Sequence, residues 1–138
     1  MAGIPSLDSR IRGDRIRDSR SAAQRQRSEW LGRWAEIAAA TWLIAKGYRI
    51  LARRLRSPFG EIDLVAVRGN RLAFVEVKYR NTITAAEQAV PHTQADRLAN
   101  AAEHWVAQRP GYRDHHLGLD RLCIAPWTWP DHREDALH

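Results

Sequence analysis

Cysteine is nearly absent: the 138-residue chain has one, Cys123. A lone thiol excludes an internal disulfide and a cysteine-built metal cluster. Its neighbours Leu122 and Ile124 point to a buried position on a strand. No apolar run is long enough for a membrane span, and no signal-peptide core opens the chain. A cytosolic protein with no membrane partner is therefore expected. Gly-rich phosphate loops, internal repeats and a Ser-His-Asp order are also missing. The six histidines show no ligand spacing, and His115-His116 reads as a solvated pair. Residues 1–28 lack aromatics and have few large apolar side chains, while their Arg and Asp leave a strong positive excess. Such a stretch cannot bury enough surface to offset its ordering entropy. It is expected to be a basic, disordered or frayed tail, with the domain proper at 29–138.

What is present is enough length for one core and a clear charge bias. The net charge is +6 and the pI about 10.4, which favours a polyanionic partner. The centre of the chain is Gly60-Glu61-Ile62-Asp63-Leu64-Val65-Ala66-Val67 followed by Leu72-Ala73-Phe74-Val75-Glu76-Val77-Lys78. Both runs suit strands. Gly69-Asn70 between them suits a two-residue hairpin, since Gly accepts the positive φ of a type II′ turn. That loop fixes a register in which Val67 faces Leu72, Val65 faces Phe74, Asp63 faces Glu76 and Glu61 faces Lys78. Two carboxylates placed opposite each other are destabilising without a cation or shared proton. Lys78 shares a strand face with Glu76. The pair of strands thus offers oxygen ligands suited to Mg²⁺ with an ammonium beside them. Glu76 sits in a strand that is apolar on both faces, which sets it apart from an ordinary solvated Glu-x-Lys.

Around this hairpin the chain reads as helix, strand, hairpin, helix, strand. A helix is predicted from Ser28, its N-cap, to Gly47, with Leu31, Trp34, Ile37, Ala38, Thr41, Trp42 and Ala45 as the apolar stripe. Glu36 falls at the edge of that stripe. Tyr48 to Arg56 is a strand whose Arg49, Arg53, Arg54 and Arg56 form a basic rim. Ser57-Pro58-Phe59-Gly60 is a turn. Arg80 opens a polar loop. A second helix is predicted from His92 to Gln108, with Gln94 in its first turn and Leu98, Ala101, Ala102, Trp105 and Val106 inward. Leu117 to Ala125 reads as the last strand, closed by the rigid aromatic loop Pro126-Trp127-Thr128-Trp129-Pro130. Trp34, Trp42 and Trp105 are expected in the core.

The Asp63…Glu76-x-Lys78 arrangement resembles the PD-(D/E)XK nuclease superfamily, although Ile62 stands where its motif has Pro. The wider run is similar to the YraN-like family of small predicted bacterial endonucleases. It comprises Gly32-Arg33-Trp34-Ala35-Glu36, Gly47-Tyr48-Arg49-Ile50-Leu51, Gly60 to Val65, and Phe74 to Arg80. The resemblance covers roughly residues 29–132. It implies an α/β, restriction-endonuclease-like three-layer core with a mixed central sheet in the order α-β-β-β-α-β. It implies Asp63, Glu76 and Lys78 as the catalytic core, Glu36 as a further metal carboxylate and Gln94 at the active-site wall. Mg²⁺, replaceable by Mn²⁺, is the implied cofactor.

The expectation is a metal-dependent nuclease acting on DNA, branched or damaged DNA included. Arg53, Arg54, Arg56 and Arg80 would contact phosphates, and a homodimer is compatible with such an enzyme. The alternative is a module of the same fold that binds nucleic acid without cutting it. A third class, an assembly protein, would do neither.

Overall fold

Gly69 and Asn70 turn the chain as their types predict. Gly69 has φ +56, the sign needed at the first position of the turn. The strands it joins, β2 (Gly60–Arg68) and β3 (Arg71–Tyr79), pair antiparallel from Arg68↔Arg71 through Val67↔Leu72 and Val65↔Phe74 to Leu64↔Val75. This is the register expected from the loop, but it stops one pair short of Asp63 and Glu76. A computed structural model describes residues 4–80 and 92–137, with side chains from residue 22 onward except at 25, 27, 28, 92 and 93. The polar loop that Arg80 opens lies outside the described residues.

β1 (Arg49–Ser57) pairs antiparallel with β2, with an irregularity between Ile50 and Ala52. β4 (His116–Ile124) runs parallel to β3, and β5 (Asp131–Arg133) closes the other edge antiparallel to β4. The result is a five-stranded mixed sheet in the order β1-β2-β3-β4-β5. The short β5 and a 3₁₀ turn at Pro110–Tyr112 are additions to the predicted elements. Cys123 is buried and unpaired on β4, as its neighbours suggested.

Residues 35–43 of helix α1 (Ile4–Ala45) pack on one face of the sheet and α2 (His92–Ala107) on the other. Ala35, Ala39, Ala40 and Leu43 of α1 meet Leu64, Ala66, Ala73, Val75 and Leu122. Leu98, Ala101, Ala102 and Trp105 of α2 meet Ile62, Val65, Leu72, Phe74 and Leu119. The parallel β3–β4 pair needs a crossover between its strands, and α2 lies within it.

Two expectations about α1 are corrected. The helix does not start at a Ser28 cap; it runs unbroken from Ile4. The chain clusters into two compact units, Met1–Arg33 and Trp34–His138. The inward stripe is also rotated from the one read by size. Trp34 and Ile37 are exposed, and the small Ala35, Ala39 and Ala40 go inward. Alanines let the helix backbone approach the sheet closely, where Trp and Ile would hold it off. The rotation carries Glu36 to the buried face, 8% exposed. Trp42 is half-buried, and of the three tryptophans assigned to the core only Trp105 is fully buried.

Candidate functional site

Asp63 lies where the sheet changes face. Ile62 packs on the α2 side and Leu64, two residues on, packs on the α1 side. Regular alternation would put both on one face, so β2 rotates through Asp63. Across from it, Arg54 has φ +50, a left-handed conformation that disfavours a residue with a Cβ. Arg53↔Leu64 and Leu55↔Ile62 pair on either side of this break. On the β3 side, Asp63 Oδ2 accepts the Val77 N–H at 2.8 Å. The side chain thus replaces the backbone ladder and wedges the two strands apart.

Three carboxylates meet at this wedge. Glu36 from α1, with Glu61 and Asp63 from β2, each bring one oxygen within 4.8 Å of the others. Glu61 was expected to pair with Lys78. Instead Lys78 Nζ lies 2.9 Å from Glu76 Oε1 on its own strand, and Glu61 joins the acidic group. Arg54 Nε donates to Glu36 Oε2 at 2.5 Å, and this bond holds the guanidinium in its charged form.

Burial pushes the Asp63 carboxyl up to about 6, against the Val77 hydrogen bond, and the charges of Glu36 and Glu76 push it further the same way. Lys78 offsets only part of this. A carboxyl raised by burial and flanked by other carboxylates is compatible with a cation site or a functional acid. An all-oxygen set of this spacing suits a hard divalent ion after slight closure.

The wedge opens toward α2 as a cavity of about 260 Å³ lined by Glu61, Asp63, Glu76, Lys78, Gln94 and Arg97. The sequence-predicted Asp63, Glu76, Lys78 and Gln94 therefore share one cavity, and Glu36 reaches the same Asp63 from the opposite face. Glu76 stands somewhat apart from the trio through its bond to Lys78.

Arg97 was not anticipated. It sits one helical turn after Gln94, a spacing that could have flagged it once Gln94 was chosen. Its guanidinium lies against the backbone of Gly60, where an added Cβ would fall 2.8 Å from Nη1. Gly60 also has φ +118, so this position favours glycine twice over. Among the described residues Arg97 has no ion pair, although acidic groups line the same cavity. Arg121 was missed as well: buried on β4, it stands beside Glu76 in the parallel register.

The four arginines assigned to phosphate contact are dispersed. Arg53 and Arg56 are exposed on β1, Arg54 is engaged by Glu36, and Arg80 follows β3, its backbone N–H donated to the Ile124 carbonyl at 2.9 Å. No helix among the described residues is long and apolar enough to cross a membrane.

Comparison with known proteins agrees with the motifs. The model of the uncharacterised protein family UPF0102 matches residues 35–125, a span that holds every residue of the site. A UPF0102 protein of Caulobacter vibrioides (strain NA1000 / CB15N) is 52% identical over 121 residues, 88% of this chain and 94% of its own. One from Maricaulis maris is 46% identical over 112 residues, covering 81% and 88%. One from Mesorhizobium japonicum is 42% identical over 119 residues, covering 86% and 95%.

Proposed function

The chain belongs to the uncharacterised protein family UPF0102, and from the geometry of its site we propose that it is a divalent-metal-dependent nuclease of the PD-(D/E)XK kind, acting on DNA through a restriction-endonuclease-like core. The observation that carries this reading is the wedge at Asp63. There a carboxyl with a raised pKa meets two further carboxylates and opens on a cavity holding Lys78. Arg54 closes only Glu36 of the trio; among the described residues Glu61 and Asp63 have no ion pair.

In this reading Glu36, Glu61 and Asp63 would hold the ion, with Glu76 as a further carboxylate lining the same cavity. A Mg²⁺ there supplies a bound water of lowered pKa and an electrophile for the phosphoryl oxygens. Lys78, tethered 2.9 Å from Glu76, orients the attacking water or offsets charge that develops on the phosphate. Arg97, unpaired in the cavity wall, meets a phosphate oxygen that the carboxylates alone would repel. Gln94 hydrogen-bonds the same group from the turn before.

The test is incubation of the full chain with duplex, single-stranded and branched DNA in Mg²⁺, Mn²⁺ or chelator. Metal-dependent product is expected, reduced at least about a hundredfold in Asp63→Asn, Glu76→Gln and Lys78→Ala. Lys78→Ala cutting at the wild-type rate would remove the assignment. Binding without product in every metal would favour the non-cutting module.

A further inference from the structure

We propose that the loop Pro126–Pro130 is a stacking site for an unpaired nucleobase of the strand bound at the acidic cavity; this rests on the nucleic-acid reading above. Trp127 is wholly exposed, at 102% of its reference surface, and Trp129 is exposed at 80%. With Thr128 they line an open notch of about 300 Å³, room enough for a planar ring. The loop is propped in place. Thr128 Oγ1 donates to the Ala125 carbonyl at 3.5 Å. The Trp129 ring rests on Trp42 of α1, centroids 5.7 Å apart. Proline stands at either end, fixing φ there. Trp127 itself is held at φ +63, which keeps it presented outward.

The position points to the occupant. Lys78 pairs with Cys123 and Tyr79 with Ile124, so the loop leaves β4 at the sheet end that carries Glu76 and Lys78. Strand spacing and rise put the Trp127 backbone roughly 10–15 Å from that of Lys78, a span of a few nucleotides. Arg80 lies between them, its backbone N–H on Ile124 and its Nη1 on the Tyr79 carbonyl at 2.9 Å. A fully exposed ring beyond a cationic residue, at the sheet end that carries the phosphate-cutting site, matches a single strand, with its stackable bases and anionic backbone. Internal base pairs of a duplex present no free face to Trp127, so the loop favours strands with unpaired positions.

The experiment measures binding of fluorescent oligomers to the full chain in chelator, where hydrolysis plays no part. The probes are a short oligothymidylate, its oligouridylate counterpart, an abasic oligomer of equal length and a blunt duplex. Trp127→Ala should weaken the single strand roughly five- to a hundredfold and the duplex less than twofold. Trp127→Phe should restore most of the loss, and the abasic oligomer should bind the wild type no better than thymidylate binds Trp127→Ala. Deoxy and ribo strands should lose alike, because stacking does not use the 2′-hydroxyl; a loss confined to one of them would replace stacking by sugar recognition. An equal loss on duplex and single strand, no loss at all, or a change only in self-association by light scattering would overturn the proposal. Ring-dependent binding without metal-dependent product would sink the nuclease reading alone. Product formation with binding indifferent to Trp127 would sink this one alone.

Discussion

Asp63 and Asp120 are the same side chain in the same sheet, and their surroundings drive them in opposite directions. Asp120, fully buried on β4, is gripped on every side. Arg71 donates Nη1 and Nη2 to its two oxygens at 2.7 and 2.6 Å. His132 Nε2 lies 2.8 Å away and the Asp135 N–H 2.9 Å away. Burial alone would raise this carboxyl, yet the bonds from Arg71, His132 and Asp135 bring it down to about 2. Asp63 has one backbone N–H and mostly carboxylate neighbours, and it rises to about 6. The first cluster is complete and ties the C-terminal strand to the sheet. The second is short of positive charge and is open to a cavity. The same side chain is thus tied down in one place and left under-bonded in the other.

The comparison breaks most sharply in the activity of Asp63→Asn. Loss of product by at least about a hundredfold is expected, while the folded protein gains stability, because the amide keeps an acceptor for Val77 and sheds the buried charge. A pKa unit is worth about 1.4 kcal/mol, so the gain at neutral pH is on the order of 3 kcal/mol. Urea unfolding alongside the nicking assay checks both. A variant that is inactive and also less stable would show that Asp63 holds the fold.

Asp120→Asn should do the reverse. Arg71 would keep only the exposed Asp135, at 3.2 Å, as counter-charge, and losing the buried bidentate pair costs on the order of 3 kcal/mol, with activity per folded molecule little changed. The acid limb differs as well. Asp120 has a depressed pKa, so its contribution is present above about pH 4 and is lost as pH falls toward 2.

The third test uses pH on Asp63. Its pKa is raised, so the folded state holds the proton longer than the unfolded chain. Stability from this group is greatest below about pH 4 and declines as pH climbs through 6. The wild-type minus Asp63→Asn difference should therefore fall by on the order of 3 kcal/mol across that window. Mg²⁺ should reverse the decline, since it competes with the proton; a Mg²⁺-induced rise in melting temperature should be larger at pH 7.5 than at pH 5. Equal rises at both would show that the ion does not use Asp63.

How much of this was legible follows from sequence distance. The hairpin register, the shared face of Glu76 and Lys78, and the two-residue loop are local, and periodicity with turn chemistry gives them. Glu36 turns inward because Ala35 and Ala39 sit against the sheet, a choice that a size-based stripe reads the other way round. Glu61 was assigned to Lys78 because the ladder was carried to the strand ends, and the break at Asp63 depends on Arg54, a residue of another strand. The Asp120 cluster joins β3, β4 and β5, and a three-residue strand such as β5 leaves almost no pattern. His132, one of the six histidines in which no ligand spacing was visible, is buried in that cluster with a 2% exposed side chain.

The smallest effect tests the break itself. Arg54 makes an ion pair with Glu36, but its side chain is 42% exposed, and such pairs are worth about 0–1 kcal/mol. Arg54→Ala and Arg54→Gly both remove the pair, so the difference between them reports the backbone alone. At φ +50 alanine keeps a Cβ that the left-handed region disfavours and glycine does not. Glycine loses more freedom on folding, which trims its advantage, so the Gly variant should exceed the Ala variant by roughly 0.5–1 kcal/mol in urea unfolding. Two variants of equal stability would mean that Arg54 relaxes without strain. The turn of β2 through Asp63 would then need another cause than the distorted strand opposite it.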